Sequence, residues 1–195
     1  MSDRIGIYSG TFDPIHQGHI SFALKTIEEY GLDQVVFLPE ANPRGKESVT
    51  SLEHRNAIIN KALVGHQKLS VTNLASLQFS ITKTLPLIRE LYGDASLVFL
   101  VGSDVVRTFS YRWDNLDILL KDVSLAIGMR VGDNPDDIAT IMNDLEKQFN
   151  IPIHYKVIHT PNAAVASSHV RNKNAPTSHL HPDVSKYIKE NNLYM

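Results

Sequence analysis

Short apolar runs rich in β-branched residues recur along this chain, and between them the hydrophobic residues switch to a helical period. The runs at residues 5–8, 35–38, 97–101, 123–127 and 155–158 are apolar on both faces in places, the pattern of strands buried between two layers of helices. Ile20, Ala23, Leu24 and Ile27 fall at i, i+3, i+4 and i+7, and Ile138, Ile141, Met142 and Leu145 repeat the spacing, which predicts amphipathic helices. Strands alternating with helices need crossover connections, so the expected fold is α/β with a doubly wound, mostly parallel sheet. Thr50 with Glu53 fits a capping box ahead of a helix carrying Leu52, Ile59, Ala62 and Leu63. Residues 80–92 form a further helix candidate, weakened by Pro86. The stretches 40–45, 132–136 and 172–182, rich in Pro, Gly, Asn and Asp, read as loops.

With 195 residues and 43% hydrophobic composition, the chain can bury one α/β core, and residues 1–195 are expected to be a single domain. A formal net charge of -2 provides no global attraction to nucleic acid or to an anionic membrane, so any anion site has to be built locally, for a small molecule. The absence of cysteine excludes disulfides, thiolate metal sites and cysteine nucleophiles. No signal peptide and no bilayer-spanning apolar run is read in the sequence, so the expectation is a soluble, cytoplasmic protein. Assembly with copies of itself is left open.

In doubly wound sheets ligands bind beyond the carboxyl ends of the strands. Residues 10–19, Gly-Thr-Phe-Asp-Pro-Ile-His-Gln-Gly-His, occupy such a place, between the first strand and the first helix. Gly10 and Gly18 permit close backbone approach, and free N–H groups in the first turn of that helix would point at an anion. His16 and His19, three residues apart, can present two N–H donors to one phosphate. His179-Leu180-His181 lacks a further ligand at useful spacing and reads as surface. Trp113 with Phe109, Leu116, Leu119 and Leu120 reads first as core packing, and residues 133–137 as a solvated acidic helix start.

The segment at 10–19 resembles the Gly-x-Phe-Asp-Pro-x-His-x-Gly-His signature of the nucleotidylyltransferase superfamily, and Ala166-Ser167-Ser168-His169-Val170-Arg171 resembles its Ser-Ser-Thr-x-x-Arg motif, with Ala166 in place of the first serine. Over its whole length the chain is similar to the bacterial nicotinic acid mononucleotide adenylyltransferases. The resemblance implies a Rossmann-like fold and transfer of AMP from ATP to a mononucleotide, with His16, His19 and Arg171 as catalytic residues. It implies ATP contacts at Gly10, Thr11, Phe12, Gly18, Gly102, Asp104, Ser167 and Ser168, with Mg²⁺ carried on the phosphates and no protein-held metal. Acceptor contacts are implied at Asn42, Lys46, Thr82, Tyr111 or Trp113, and Arg130. The departures fall in the acceptor pocket: Ile81 stands where the family has Tyr, Gly45 where it has His, and the stacking Trp is met by Tyr111 or, in a shifted register, Trp113. These leave the acceptor's identity open between nicotinic acid mononucleotide and another phosphorylated acceptor. A nucleotide sensor without turnover is the alternative of another class. A dinucleotide oxidoreductase is disfavoured, because no Gly-x-Gly-x-x-Gly follows the first strand.

Overall fold

Six strands form one sheet in the order β3-β2-β1-β4-β5-β6, in a computed structural model that describes residues 3–43, 45, 46, 48–72, 74, 78–171 and 179–194. The strands are β1 (Arg4–Gly10), β2 (Gln34–Pro39), β3 (Leu69–Val71), β4 (Ser96–Gly102), β5 (Val123–Gly128) and β6 (Tyr155–Ile158). All five pairings are parallel, so the sheet is wholly rather than mostly parallel. β3 was not expected. With three residues, only one of them buried, it carries too short a pattern for hydrophobic periodicity to reveal.

Side chains along the strands alternate between two cores. Ile5, Ile7, Val36, Leu38, Leu97, Phe99 and Val101 pack on one face with α3 (Ile81–Tyr92), α6 (Leu116–Asp122) and α7 (Pro135–Phe149). Val35, Phe37, Val98 and Leu100 pack on the other with α1 (Gln17–Tyr30), α2 (Leu52–Ala62) and α9 (Pro182–Glu190). This two-sided burial is why the strands read as near-continuous apolar runs.

Helix α2 begins one residue later than the Thr50 reading: Ser51 is its cap, accepting the His54 N–H at 3.4 Å. Helix α3 runs through Pro86. The proline lies on the exposed side, while Ile81, Thr84, Leu85 and Ile88 are buried, and that packing outweighs one lost helical bond. Most of the predicted loop at 172–182 lies outside the described residues, but Pro182 already opens α9, capped by His181. Two short helices, α4 (Ser103–Val106) and α5 (Phe109–Arg112), follow β4, and α8 (Ser167–Arg171) follows β6. Among the described residues no helix is long and apolar enough to cross a membrane.

Candidate active site

The strand order steps outward in opposite directions from β1 and β4, and their carboxyl ends open a crevice at the switch. There a cavity of about 780 Å³ is lined by the ends of β1 and β4, the loop at 11–16, the start of α1, residues of the loop after β2, and α8.

Neither ring of the His pair is turned into the core, away from this cavity: His16 and His19 both line it. His16 is the N-cap of α1, its Nδ1 accepting the Gly18 N–H at 3.1 Å, while the His16 N–H donates to His19 Nδ1 at 3.2 Å. The two rings stack with centroids 3.7 Å apart. A ring nitrogen that accepts from a backbone N–H carries no proton, so each neutral imidazole keeps its proton on Nε2. Burial, then the neighbouring His16, Arg130 and Lys46, hold the His19 pKa well below 6.5. His19 is therefore held neutral, and with the Nδ1 of each ring accepting a backbone N–H the donor on each is Nε2, which suits an anion and not a proton to be removed. The expected cradle of free first-turn amides is corrected on one point: the Gly18 amide is engaged by the His16 ring, so the rings, and not that amide, face the cavity.

Gly18 is required here by space. A Cβ at this position would meet the His16 ring at 2.9 Å and the Asn162 carbonyl oxygen at 3.0 Å. The Phe12 side chain is 3% exposed and packs edge-on against His19 at 5.2 Å between centroids. It is a floor beneath the pair more than a surface offered to ligand. Gly10, Thr11, Gly102, Asp104, Ser168, Lys46, Thr82 and Arg130 all line the cavity.

The two sequence motifs meet. The Ser167 hydroxyl donates to the Pro14 carbonyl at 3.0 Å, and Arg171 donates to the Asp13 carbonyl at 2.6 Å. Both side chains also line the cavity, so part of their bonding capacity ties α8 to the His loop.

Residues 7–173 match the model of the cytidylyltransferase-like family. The chain belongs to that family. A protein of Thermoanaerobacter sp. named probable nicotinate-nucleotide adenylyltransferase is 33% identical, over 98% of this chain and 94% of its own. One of Carboxydothermus hydrogenoformans with the same name is 31% identical over 98% of each. The structure titled Plasmodium falciparum nicotinic acid mononucleotide adenylyltransferase complexed with NaAD shares the fold, with a TM-score of 0.78 at 22% identity over 98% of this chain and 97% of that one.

The residues that the family resemblance assigns to the acceptor come from separate elements. Lys46 donates to Thr11 Oγ1 at 2.9 Å, and burial with the nearby Arg171 lowers its pKa. Arg130 pairs with Asp104 at 2.9 Å. Asp133, expected to be solvated, organises this corner: it accepts from Ser103 Oγ, from the Arg130 N–H at 2.9 Å and from Arg107 at 3.2 Å. Of the two aromatic candidates, Trp113 lines the cavity, packed edge-on against Phe109 and tilted against Phe79, with its Nε1 donating to Thr108 at 3.2 Å. Tyr111 is 67% exposed and is not among the lining residues, nor is Asn42. One residue on the helical turn separates Tyr111 from Trp113, and only the later one reaches the crevice.

Sequence reasoning missed Arg55. It is fully buried and donates to the carbonyls of Thr50 at 2.8 Å, Thr11 at 2.7 Å and Ala41 at 3.1 Å, tying the His loop to the loop after β2. A signal was present: Arg55, Ile58, Ile59 and Ala62 fall at i, i+3, i+4 and i+7, which places a guanidinium on the apolar face of α2.

Proposed function

We propose that this chain transfers the AMP moiety of ATP to nicotinic acid mononucleotide, giving deamido-NAD and pyrophosphate. Membership of the family and relatives of the same name at about one-third identity support the reading. The observation that carries it is the stacked His16–His19 pair, the Nδ1 of each ring accepting a backbone N–H, lining a cavity that Lys46 and Arg171 also line.

The acceptor's phosphate is already ionised at neutral pH and needs no general base. One of its oxygens attacks the α-phosphorus of ATP in line. A new P–O bond forms, the bond from the α-phosphorus to the α,β-bridging oxygen breaks, and its electron pair leaves with pyrophosphate. Catalysis is then positioning and charge stabilisation. His16 and His19 donate to the α- and β-phosphates, Thr11 and Lys46 lie on the approach side, and Ser167, Ser168 and Arg171 receive the departing pyrophosphate. Gly10 and Gly102 line the nucleotide's side of the cavity, Gly18 leaves the space that the His16 ring occupies, and Asp104 accepts from ribose hydroxyls once ATP competes for its bond with Arg130. Trp113 offers a ring face to the acceptor's base, with Thr82 beside it. Mg²⁺ would arrive bound to the triphosphate, as part of the substrate. Residues 1–195 act as one domain.

The test is incubation with ATP and Mg²⁺ against nicotinic acid mononucleotide, nicotinamide mononucleotide or phosphopantetheine, following pyrophosphate and the dinucleotide by chromatography. Deamido-NAD formed fastest is the expected result. No adenylyl transfer to any acceptor would leave a nucleotide-binding protein without turnover, and preference for another acceptor would reassign the substrate.

A further inference from the structure

The His loop is held from three directions. Arg55 fixes the Thr11 carbonyl, and Ser167 with Arg171 fixes those of Pro14 and Asp13. The third comes from the far end of the chain. After α9 the backbone turns tightly, the Leu193 N–H returning to the Ile188 carbonyl at 3.0 Å, and Tyr194 folds back so that its hydroxyl donates to Asp13 Oδ1 at 2.6 Å.

Three observations set this contact apart from ordinary tail packing. Asp13 is 3% exposed, and its other oxygen has the Thr50 N–H only at 3.5 Å, so Tyr194 supplies the short bond to a carboxylate shut away from water. Tyr194 has φ 58, a left-handed conformation that a bulky aromatic residue adopts only where surrounding contacts compel it. Its pKa is raised, by burial first and by Asp13 next, so the phenol stays a proton donor across the physiological range. Asp13 stands three residues before His16, in the loop that aims both imidazoles.

We propose that Tyr194 is a positioning residue for adenylyl transfer: through Asp13 its hydroxyl sets the pose of the His16–His19 pair, so the closing turn of the chain completes the active site. Tyr194 lies outside both sequence motifs, and the inference rests on the reading of the site as a triphosphate seat. The two fail differently. If the seat is wrong, the unmodified chain transfers no adenylyl group. If the tyrosine role is wrong, a Tyr194→Phe protein turns over like the unmodified chain.

The experiment is steady-state kinetics of Tyr194→Phe, assayed well below its melting temperature. The expected result is a kcat about tenfold lower, as for small misplacements of reacting groups, with KM for ATP and for the mononucleotide within about twofold. In an Asp13→Ala background the same substitution is expected to change kcat by less than about twofold, because the partner is gone. Should Asp13→Ala fail to fold, 3,5-difluorotyrosine at position 194 takes its place. It keeps the ring and lowers the phenol pKa, so kcat is retained at neutral pH and lost at a less alkaline pH than in the unmodified chain, as a phenolate comes to face the Asp13 carboxylate. Unchanged kcat in Tyr194→Phe, a loss in kcat that follows the melting temperature alone, full additivity with Asp13→Ala, or an unshifted alkaline limb would each overturn the proposal.

Discussion

The end of the cavity proposed for the triphosphate and the wall proposed for the acceptor are built on different plans. At the first, six consecutive residues from Thr11 to His16 form one loop, and its key groups bond one another: His16 to Gly18, His19 to His16, Arg171 to Asp13 and Ser167 to Pro14. At the second, Lys46, Thr82, Trp113 and Arg130 come from four separate stretches and meet only in the folded chain. The first is a preorganised donor array whose loss should reach the transition state. The second is a set of side chains each tied to a neighbour of its own, Lys46 to Thr11, Trp113 to Thr108 and Arg130 to Asp104, and its loss should reach ground-state binding.

The largest expected effect probes the first region. His19→Ala removes a donor aimed at developing charge, and kcat should fall on the order of 10² to 10³ with modest change in either KM. A loss expressed in KM for the mononucleotide alone would erase the contrast. Gly18→Ala forces the His16 ring away from a Cβ it would meet at 2.9 Å, and kcat should fall about tenfold or more. On the acceptor wall, Trp113→Ala should raise KM for the mononucleotide about tenfold while leaving KM for ATP unchanged. Differential binding of the two substrates, read by calorimetry with a nonreactive ATP analogue, checks the same point.

A smaller effect concerns pH. The folded pKa of His19 lies well below its ordinary 6.5, so as pH drops below that value the unfolded chain binds a proton that the folded chain refuses. Stability conferred by the neutral ring is therefore present above pH 6.5 and declines as pH falls toward the folded pKa. Melting curves should move down on mild acidification, and less so in His19→Gln. The smallest effect belongs to Tyr111→Ala. That ring is exposed and off the cavity, so kcat, KM and melting temperature should all stay near those of the unmodified chain. A large rise in acceptor KM would show that the ring swings into the site.

What the sequence made visible follows the same division. The strands that line the switch point were readable because each is buried on both faces and long enough to show it; β3, three residues at the sheet edge, was not. The His pair was readable because its geometry is local: a cap and a first helical turn settle where residues three apart will point. The acceptor wall depended on tertiary placement. No spacing rule states that Trp113 faces the crevice while Tyr111, two residues earlier, faces solvent. Nor does local pattern reveal that Asp133 will bind Ser103 and Arg107 from the junction after β4, or that Tyr194 will reach Asp13. Arg55 is the intermediate case, flagged by a charge at an apolar helical position yet interpretable only once its three carbonyl partners are seen.

We propose that two imidazoles, each protonated on Nε2, form the seat for the triphosphate. Imidazole nitrogen NMR on chain labelled with ¹⁵N-histidine, before and after a nonreactive ATP analogue with Mg²⁺ is added, reads this directly. His16 and His19 should both show protonated Nε2 and bare Nδ1 at neutral pH, and both Nε2 signals should move on binding while the Nδ1 signals hold. Protons found on Nδ1, or Nε2 signals that ignore the nucleotide at saturation, would contradict it.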